Sequence, residues 1–272
     1  MIDINKNYNE SNLETMAKMP DCFVDLTVTS PPYDDLRTYN GFVFDWKAII
    51  KELYRVTKHG GVVVWIVGDA TIKGSETGTS FKQALHAIDC GFNLHDTMIW
   101  DKVSPPPNDT RQNRYVNALE YMFILSKGKP NICNYIREES INKGKVRSGK
   151  QRKPNGERRM DFANKSSVND YKVITNIWRV HKHKGSKHPA PFPEQIANDH
   201  IISWSSENDL IYDPFMGSGT TAKMSILNNR NWIGSEISNE YCNIIEERIE
   251  KAWEEKRKEK DFNVVTSFGD GM

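Results

Sequence analysis

Cysteine is scarce in this chain, and the four present, Cys22, Cys90, Cys133 and Cys242, stand far apart with no C-x-x-C pair among them. That spacing excludes a disulfide framework and a thiolate zinc site, and points to reduced thiols in a cytoplasmic protein. Long apolar runs are missing too. None approaches the ~20 residues that a membrane-spanning helix needs, and Met1-Ile2-Asp3 opens no signal-peptide pattern. Net charge is almost nil, with 37 Lys and Arg against 36 Asp and Glu, so any attraction to a polyanion has to come from local clustering. A metal centre is not expected. His181, His183 and His188 lie close in sequence, but no acidic or cysteine partner is spaced to complete a site, and they read as part of a basic face.

What the chain does have is an apolar run over residues 23–28, read as a buried strand, that leads into Thr29-Ser30-Pro31-Pro32-Tyr33. Each proline fixes its own φ near −65°, lacks an N–H and drives the preceding residue towards extended backbone. The carbonyls of Ser30 and Pro31 therefore face outward beside a hydroxyl that donates or accepts and a ring that stacks. Such a shelf suits a flat ligand carrying an amino group. Taken alone, Ser30 to Tyr33 could simply end a strand.

A second motif lies far downstream. The apolar strand at residues 209–212 runs into Asp213-Pro214-Phe215-Met216-Gly217-Ser218-Gly219-Thr220-Thr221, followed by a helical pattern over 222–227. Strand, glycine turn and helix make the first half of a βαβ nucleotide-binding unit. No lysine follows the second glycine, so this is not a Walker-type phosphate loop. The next strand, 232–235, ends in Glu236, where a Rossmann-like site hydrogen-bonds ribose hydroxyls.

Together the two motifs resemble the DNA amino-methyltransferases, which move a methyl group from S-adenosylmethionine to an exocyclic nitrogen of adenine or cytosine. That family carries an Asp, Asn or Ser before Pro-Pro and an aromatic, here Ser30 to Tyr33, and a D-x-F-x-G-x-G loop, here Asp213 to Gly219. The catalytic motif precedes the cofactor loop, as in the circularly permuted beta group. Between them His188-Pro189-Ala190-Pro191-Phe192-Pro193-Glu194 is similar to that group's H-P-A-x-F-P-E segment. The resemblance implies S-adenosyl-L-methionine as cofactor. It carries Asp213 towards the methionine amino group, Phe215 and the backbone of Gly217, Ser218 and Gly219 towards the sulfonium, and Glu236 towards the ribose. Pro214, Thr220, Phe192 and Pro193 join that pocket, and Ile237 flanks an adenine slot. One departure stands out. Where the family often has Gly-Asp ahead of its first helix, this chain reads Glu10-Ser11-Asn12-Leu13-Glu14. No cysteine follows a proline, so the Pro-Cys nucleophile of the cytosine-C5 enzymes has no counterpart.

Local charge is far from even. Lys143, Lys145, Arg147, Lys150, Arg152, Lys153, Arg158 and Arg159 fall in a stretch poor in apolar residues and rich in Gly, Ser and Asn. Beside a base-modifying site, such a stretch reads as an arm that grips phosphates and reads bases. In the resembling family the target-recognition region occupies this interval. The expected organisation is a catalytic half at 1–128, a target-recognition region at 129–180 and a cofactor-binding half at 181–272.

Elsewhere strands and helices alternate. Residues 45–58 show helical periodicity, Gly60-Gly61 is expected to end that helix before a strand at 62–67, and 81–89 reads as a helix that Gly91 closes. A strand at 94–100 and an antiparallel strand near 118–125 follow, and residues 246–260 read as a solvated helix of mixed charge. The fold class is α/β, a Rossmann-like doubly wound mixed sheet with an inserted target-recognition region. Its two motifs should meet at the strands' C-terminal ends.

An aromatic amine is a poor nucleophile because its lone pair is delocalised into the ring. Ser30 Oγ and the Pro31 carbonyl are expected to accept its two N–H bonds, Pro32 to hold the shelf rigid, and Tyr33 to stack on a base flipped out of the helix. Double-stranded DNA is the expected partner. The favoured product is N4-methylcytosine, with adenine N6 as the alternative and an inactive DNA-binding subunit behind both. A homodimer, a cognate restriction endonuclease, nucleoid association and a phage origin all stay open, as does the recognition sequence.

Overall fold

The computed structural model describes residues 2–32, 44–105, 107, 113–145, 154–157, 167–181 and 192–267, the last nine as backbone. Two compact units emerge, one formed by Met1–Asn134 with Asn176–Met272 and the other by Tyr135–Thr175.

The larger unit is built on an eight-stranded sheet. In chain order its elements are β1 (Lys6–Tyr8), α1 (Asn12–Ala17), β2 (Val24–Thr29), α2 (Trp46–Val56), β3 (Thr57–Val67), the small hairpin β4 (Thr71–Ile72) and β5 (Ser75–Glu76), α3 (Thr79–Asp89), β6 (Asn93–Lys102) and β7 (Leu119–Ser126). Beyond the smaller unit, whose hairpin is β8 (Arg137–Glu139) and β9 (Tyr171–Val173), come β10 (Ile177–Val180), α4 (Glu194–Trp204), β11 (Leu210–Asp213), α5 (Thr220–Leu227), β12 (Asn231–Ser235) and α6 (Asn239–Ser267). Strand order is β1-β12-β11-β2-β3-β7-β6-β10. All neighbours are parallel except those of β7, which runs against both β3 and β6.

Burial follows composition. Val24, Leu26 and Val28 of β2, every residue of β3 from Val62 to Val67, and Ile211 and Tyr212 of β11 are buried, as parallel strands covered on both faces should be. Helix α2 turns Ile49, Ile50, Leu53 and Val56 inward. Asp45 caps its N-terminus by accepting the Ala48 N–H (3.1 Å). At its other end Lys127 Nζ donates to the carbonyls of Tyr54 (2.8 Å) and Thr57 (3.0 Å), which the helix leaves without partners.

Two local expectations change. Gly60-Gly61 does not end α2. The chain is already extended at Thr57 (φ −71°, ψ 132°), which pairs with Val24, and the glycines sit where the β2–β3 register shifts before Val62 meets Leu26. The C-terminal helix is not merely solvated, because Cys242, Ile245 and Ala252 of α6 are buried. The smaller unit spans a narrower stretch than the 129–180 interval, and residues 177–180 of that interval form β10, paired with β6.

Candidate active site

The strand order reverses between β2 and β11. From β2 the chain moves outward to β3, whereas from β11 it moves the opposite way to β12, and β2 and β11 lie side by side with Ile211 opposite Leu26 and Tyr212 opposite Thr27. This is a topological switch point, where α/β sheets open a crevice at the strands' carboxyl ends. Residues 29–32 leave β2 there, and residues 213–219 leave β11 beside them.

Side chains tie the two segments together. Thr29 Oγ1 donates to Asp213 Oδ1 (2.7 Å), both residues being fully buried. One step along, Thr221 Oγ1 in the first turn of α5 donates to the Val28 carbonyl (3.1 Å). Asp213 Oδ1 also accepts the Phe215 N–H (3.0 Å), while Oδ2 is buried with no hydrogen-bond partner among the described residues. Burial pushes the Asp213 carboxyl up to about 6, against the Thr29 and Phe215 hydrogen bonds and the nearby Thr221 hydroxyl, which favour its ionised form.

The glycine loop is clamped from both sides. Glu236, just past β12, accepts the N–H of Gly217 on one carboxylate oxygen (2.8 Å) and that of Ser238 on the other (2.9 Å), and burial raises its pKa. From the opposite side Arg248 of α6 donates to the Ser218 carbonyl (3.0 Å) and hydroxyl (2.9 Å). Its other nitrogen meets Glu194, the first residue of α4, which also holds Lys223 of α5 (3.1 Å). Gly219 caps α5 at φ +80°, a conformation open to glycine at little cost.

Around this clamp the remaining expected residues take definite positions. Pro31 is buried, Ser30 and Pro32 half-buried, and Tyr33 lies outside the described residues. The Phe215 ring packs edge-on against Phe44 (5.5 Å) and Trp65 (6.3 Å), so much of it serves the core. Pro214 and Thr220 are buried, Phe192 is half-buried, and buried Pro193 forms the N-cap of α4. Residues 188–191 fall outside the described residues. The Glu10–Glu14 segment acquires a structural role: Ser11 and Glu14 form a capping box on α1, and Asn12 Nδ2 donates to the Pro214 carbonyl (3.2 Å).

Of the eight basic residues, Lys143 pairs with Asp170 (3.6 Å) and Lys145 donates to Asn142 Oδ1 (3.1 Å), both within the smaller unit. Arg147, Lys150, Arg152, Lys153, Arg158 and Arg159 lie outside the described residues. Sequence reasoning missed Arg248. Its helix carries Ile245, Ile249 and Ala252 on one side, and that apolar spacing was the available signal that α6 docks rather than floats.

A glycine loop at a switch point, tied through Asp213 to Thr29 at the strand end before Ser30-Pro31-Pro32, is the arrangement of a nucleotide-cofactor site in doubly wound α/β proteins. Comparison with known proteins narrows this. The chain belongs to the N6/N4 DNA methylase family, whose model, described as DNA methylase, matches residues 24–247. It is 54% identical to the orphan methyltransferase M.BamHII of Bacillus amyloliquefaciens over 240 residues, covering 84% of this chain and 89% of that one. Type II methyltransferase M.MjaI of Methanocaldococcus jannaschii is 32% identical over 231 residues, 79% of this chain and 69% of its own length. Among solved structures, the cytosine-N4-specific PvuII DNA methyltransferase shares the fold with a TM-score of 0.67 at 21% identity, over 93% of this chain and 91% of that one. A putative DNA modification methylase from Thermus thermophilus, complexed with S-adenosyl-L-methionine, does so with a TM-score of 0.61 at 23% identity, over 90% and 95%. The protein is thus a DNA methyltransferase of the N4-cytosine or N6-adenine kind.

Proposed function

We propose that this chain transfers a methyl group from S-adenosyl-L-methionine to the exocyclic N4 of cytosine in double-stranded DNA. The observation that carries the reading is the Thr29–Asp213 hydrogen bond, which couples the strand end bearing Ser30-Pro31-Pro32-Tyr33 to the loop that would hold the cofactor. Asp213 fits that role because its second oxygen is buried with no protein donor among the described residues, which suits an ammonium group. Glu236 uses one lone pair of each oxygen on backbone N–H groups and keeps others for ribose hydroxyls. Gly217, Ser218, Gly219 and Thr220 supply the close-approaching backbone, and Pro214, Phe215, Phe192 and Pro193 the apolar wall.

S-adenosyl-L-methionine, when bound, supplies a sulfonium-activated methyl. The protein's part is to make the amine nucleophilic. Ser30 Oγ and the Pro31 carbonyl accept its two N–H bonds and draw the nitrogen towards tetrahedral geometry, which frees the lone pair for in-line attack. Tyr33 stacks on the extrahelical base, a contact worth about 1–3 kcal/mol. Serine is too weak a base to remove the proton beforehand, so the proton leaves with or after methyl transfer. The residue at position 30 supports cytosine, since Ser at this place in resembling enzymes goes more often with cytosine and Asp with adenine. The smaller unit, with Lys143, Lys145, Arg147, Lys150, Arg152, Lys153, Arg158 and Arg159, serves as the phosphate-gripping recognition region.

Single-molecule sequencing of DNA from cells expressing the chain reports base and target sequence together. N4-methylcytosine in one recurring sequence is expected, and modified adenine in its place would move the assignment to N6.

A further inference from the structure

Exposed apolar side chains line the edge of the sheet from which Ser30-Pro31-Pro32 leaves. Residues 68–76 continue from the C-terminal end of β3, the neighbour of β2. Residues 113–118 lead into β7, which starts at the same edge because it runs against β3, with Tyr121 opposite Val67. Ile72, Val116 and Leu119 are exposed there, and Tyr115 is 100% exposed. The tyrosine stands on an anchored platform. Thr71 pairs with Glu76 and Ile72 with Ser75, and the two residues between them, Lys73 (φ 50°) and Gly74 (φ 80°), have the left-handed backbone of a type I′ hairpin turn. Behind the hairpin the Thr77 N–H returns to the Ala70 carbonyl (3.0 Å), and Asp69 accepts the N–H (2.9 Å) and hydroxyl (2.5 Å) of Ser80. Arg114 closes onto it, Nη2 donating to the Gly74 carbonyl (2.6 Å) and Nη1 to Glu76 Oε1 (3.4 Å). Tyr115 follows directly, so its neighbour is tethered while its ring is open to solvent.

We propose that Tyr115 is a wedge that enters the DNA duplex where the target base has left it and stacks in the vacated space. The proposal rests on the reading above, in which the base is turned out of the helix onto the Ser30–Tyr33 shelf. Turning a base out forfeits its stacking and its pairing. An aromatic or apolar side chain inserted between base steps restores part of that loss. Chemistry favours this contact over a phosphate contact, because the group held out is a neutral ring with Ile72 and Val116 exposed on the same edge, and phosphates are gripped by charge and by hydrogen-bond donors. Ordering a tyrosine also costs little, since only two χ angles are fixed. Scale allows both contacts on one duplex. β2 and β7 flank β3, so two strand spacings, about 10 Å, separate the strand that ends in the shelf from the strand that Tyr115 leads into. A DNA major groove is about 12 Å wide.

Methyl transfer by the full chain to duplex oligonucleotides carrying its modified sequence, as found by single-molecule sequencing, tests this. One duplex has the target base paired, and a second has it mismatched by changing only the opposite base. Tyr115→Ala should lower kcat/KM on the paired duplex by about tenfold or more. On the mismatched duplex its loss relative to wild type should be severalfold smaller, because that base leaves the stack at less cost. Tyr115→Trp should stay near wild type on both. Cofactor affinity and melting temperature should be unchanged in both variants, since position 115 is fully exposed. Equal losses on the two duplexes, a Tyr115→Trp as slow as Tyr115→Ala, or an unaffected Tyr115→Ala would each overturn the wedge while leaving wild-type methyl transfer in place. A wild type that modifies no DNA would instead sink the reading of the reaction, and the wedge with it.

Discussion

Thr29 and Asp213, 184 residues apart in the chain, share a 2.7 Å hydrogen bond in the buried seam between β2 and β11. Thr29 immediately precedes Ser30-Pro31-Pro32, and Asp213 opens the glycine loop, so this contact ties the Ser-Pro-Pro strand end to the glycine loop. Thr29→Val keeps the shape of the side chain and removes the donor, leaving a buried carboxylate oxygen with one partner, the Phe215 N–H. A loss of about 1–3 kcal/mol in stability is expected, together with a fall in kcat/KM that Thr29→Ser largely recovers. Denaturant unfolding and methyl-transfer kinetics measure the two. Activity unaffected in Thr29→Val would mean that the seam is not coupled to the site.

Cofactor affinity should depend on pH through Asp213. Burial holds its carboxyl at about 6 rather than the ordinary 3.8. In the cofactor-free protein the stability this group contributes is present below the unfolded value and lost as pH rises through about 6. The ionised form is the one that meets an ammonium, so S-adenosyl-L-methionine affinity should rise from pH 5 and level off above about 6. Titration calorimetry of Asp213→Asn should give weaker binding with a flat profile over that range. A wild-type profile that is equally flat would remove Asp213 from the role.

Arg248 acts on the loop from outside it. Arg248→Ala frees Ser218 and leaves Glu194 with Lys223 as its remaining cationic partner within α5. Losing a partly buried charged hydrogen bond of about 1–3 kcal/mol should raise KM for the cofactor roughly tenfold while kcat at saturation is kept. Arg248→Lys should recover little, because an ammonium cannot reproduce the guanidinium fork. An unchanged KM with reduced kcat would argue that the clamp serves something other than cofactor loading.

Tyr33→Ala separates base binding from cofactor binding. Transfer should fall by an amount matching about 1–3 kcal/mol of lost stacking, with cofactor affinity, measured by calorimetry, left intact. Equal losses in both would count against the stacking role.

Much of this architecture could be read from the chain itself, for identifiable reasons. The strand at 24–29 and the loop at 213–219 were legible because their signals are local, a Pro-Pro stop and a pair of glycines after apolar runs. Their meeting at the strands' C-terminal ends also followed, since alternation of strands and helices admits few topologies. Thr29–Asp213, Arg248–Ser218 and Glu194–Lys223 were not legible, because hydrogen bonds between elements remote in sequence leave no periodic trace. Gly60-Gly61 misled because glycine marks both a helix end and a strand bulge, and the choice between them rests on where Val24 pairs.

Methylation of an exocyclic amine in DNA can be read by nucleoside mass spectrometry after purified protein, duplex DNA and deuteriomethyl-labelled S-adenosyl-L-methionine are incubated together. Label is expected in N4-methylcytosine and should vanish in the Pro31→Ala, Pro32→Ala double variant. Label in 5-methylcytosine, or none in DNA while the protein binds the cofactor, would rule out transfer to an exocyclic amine.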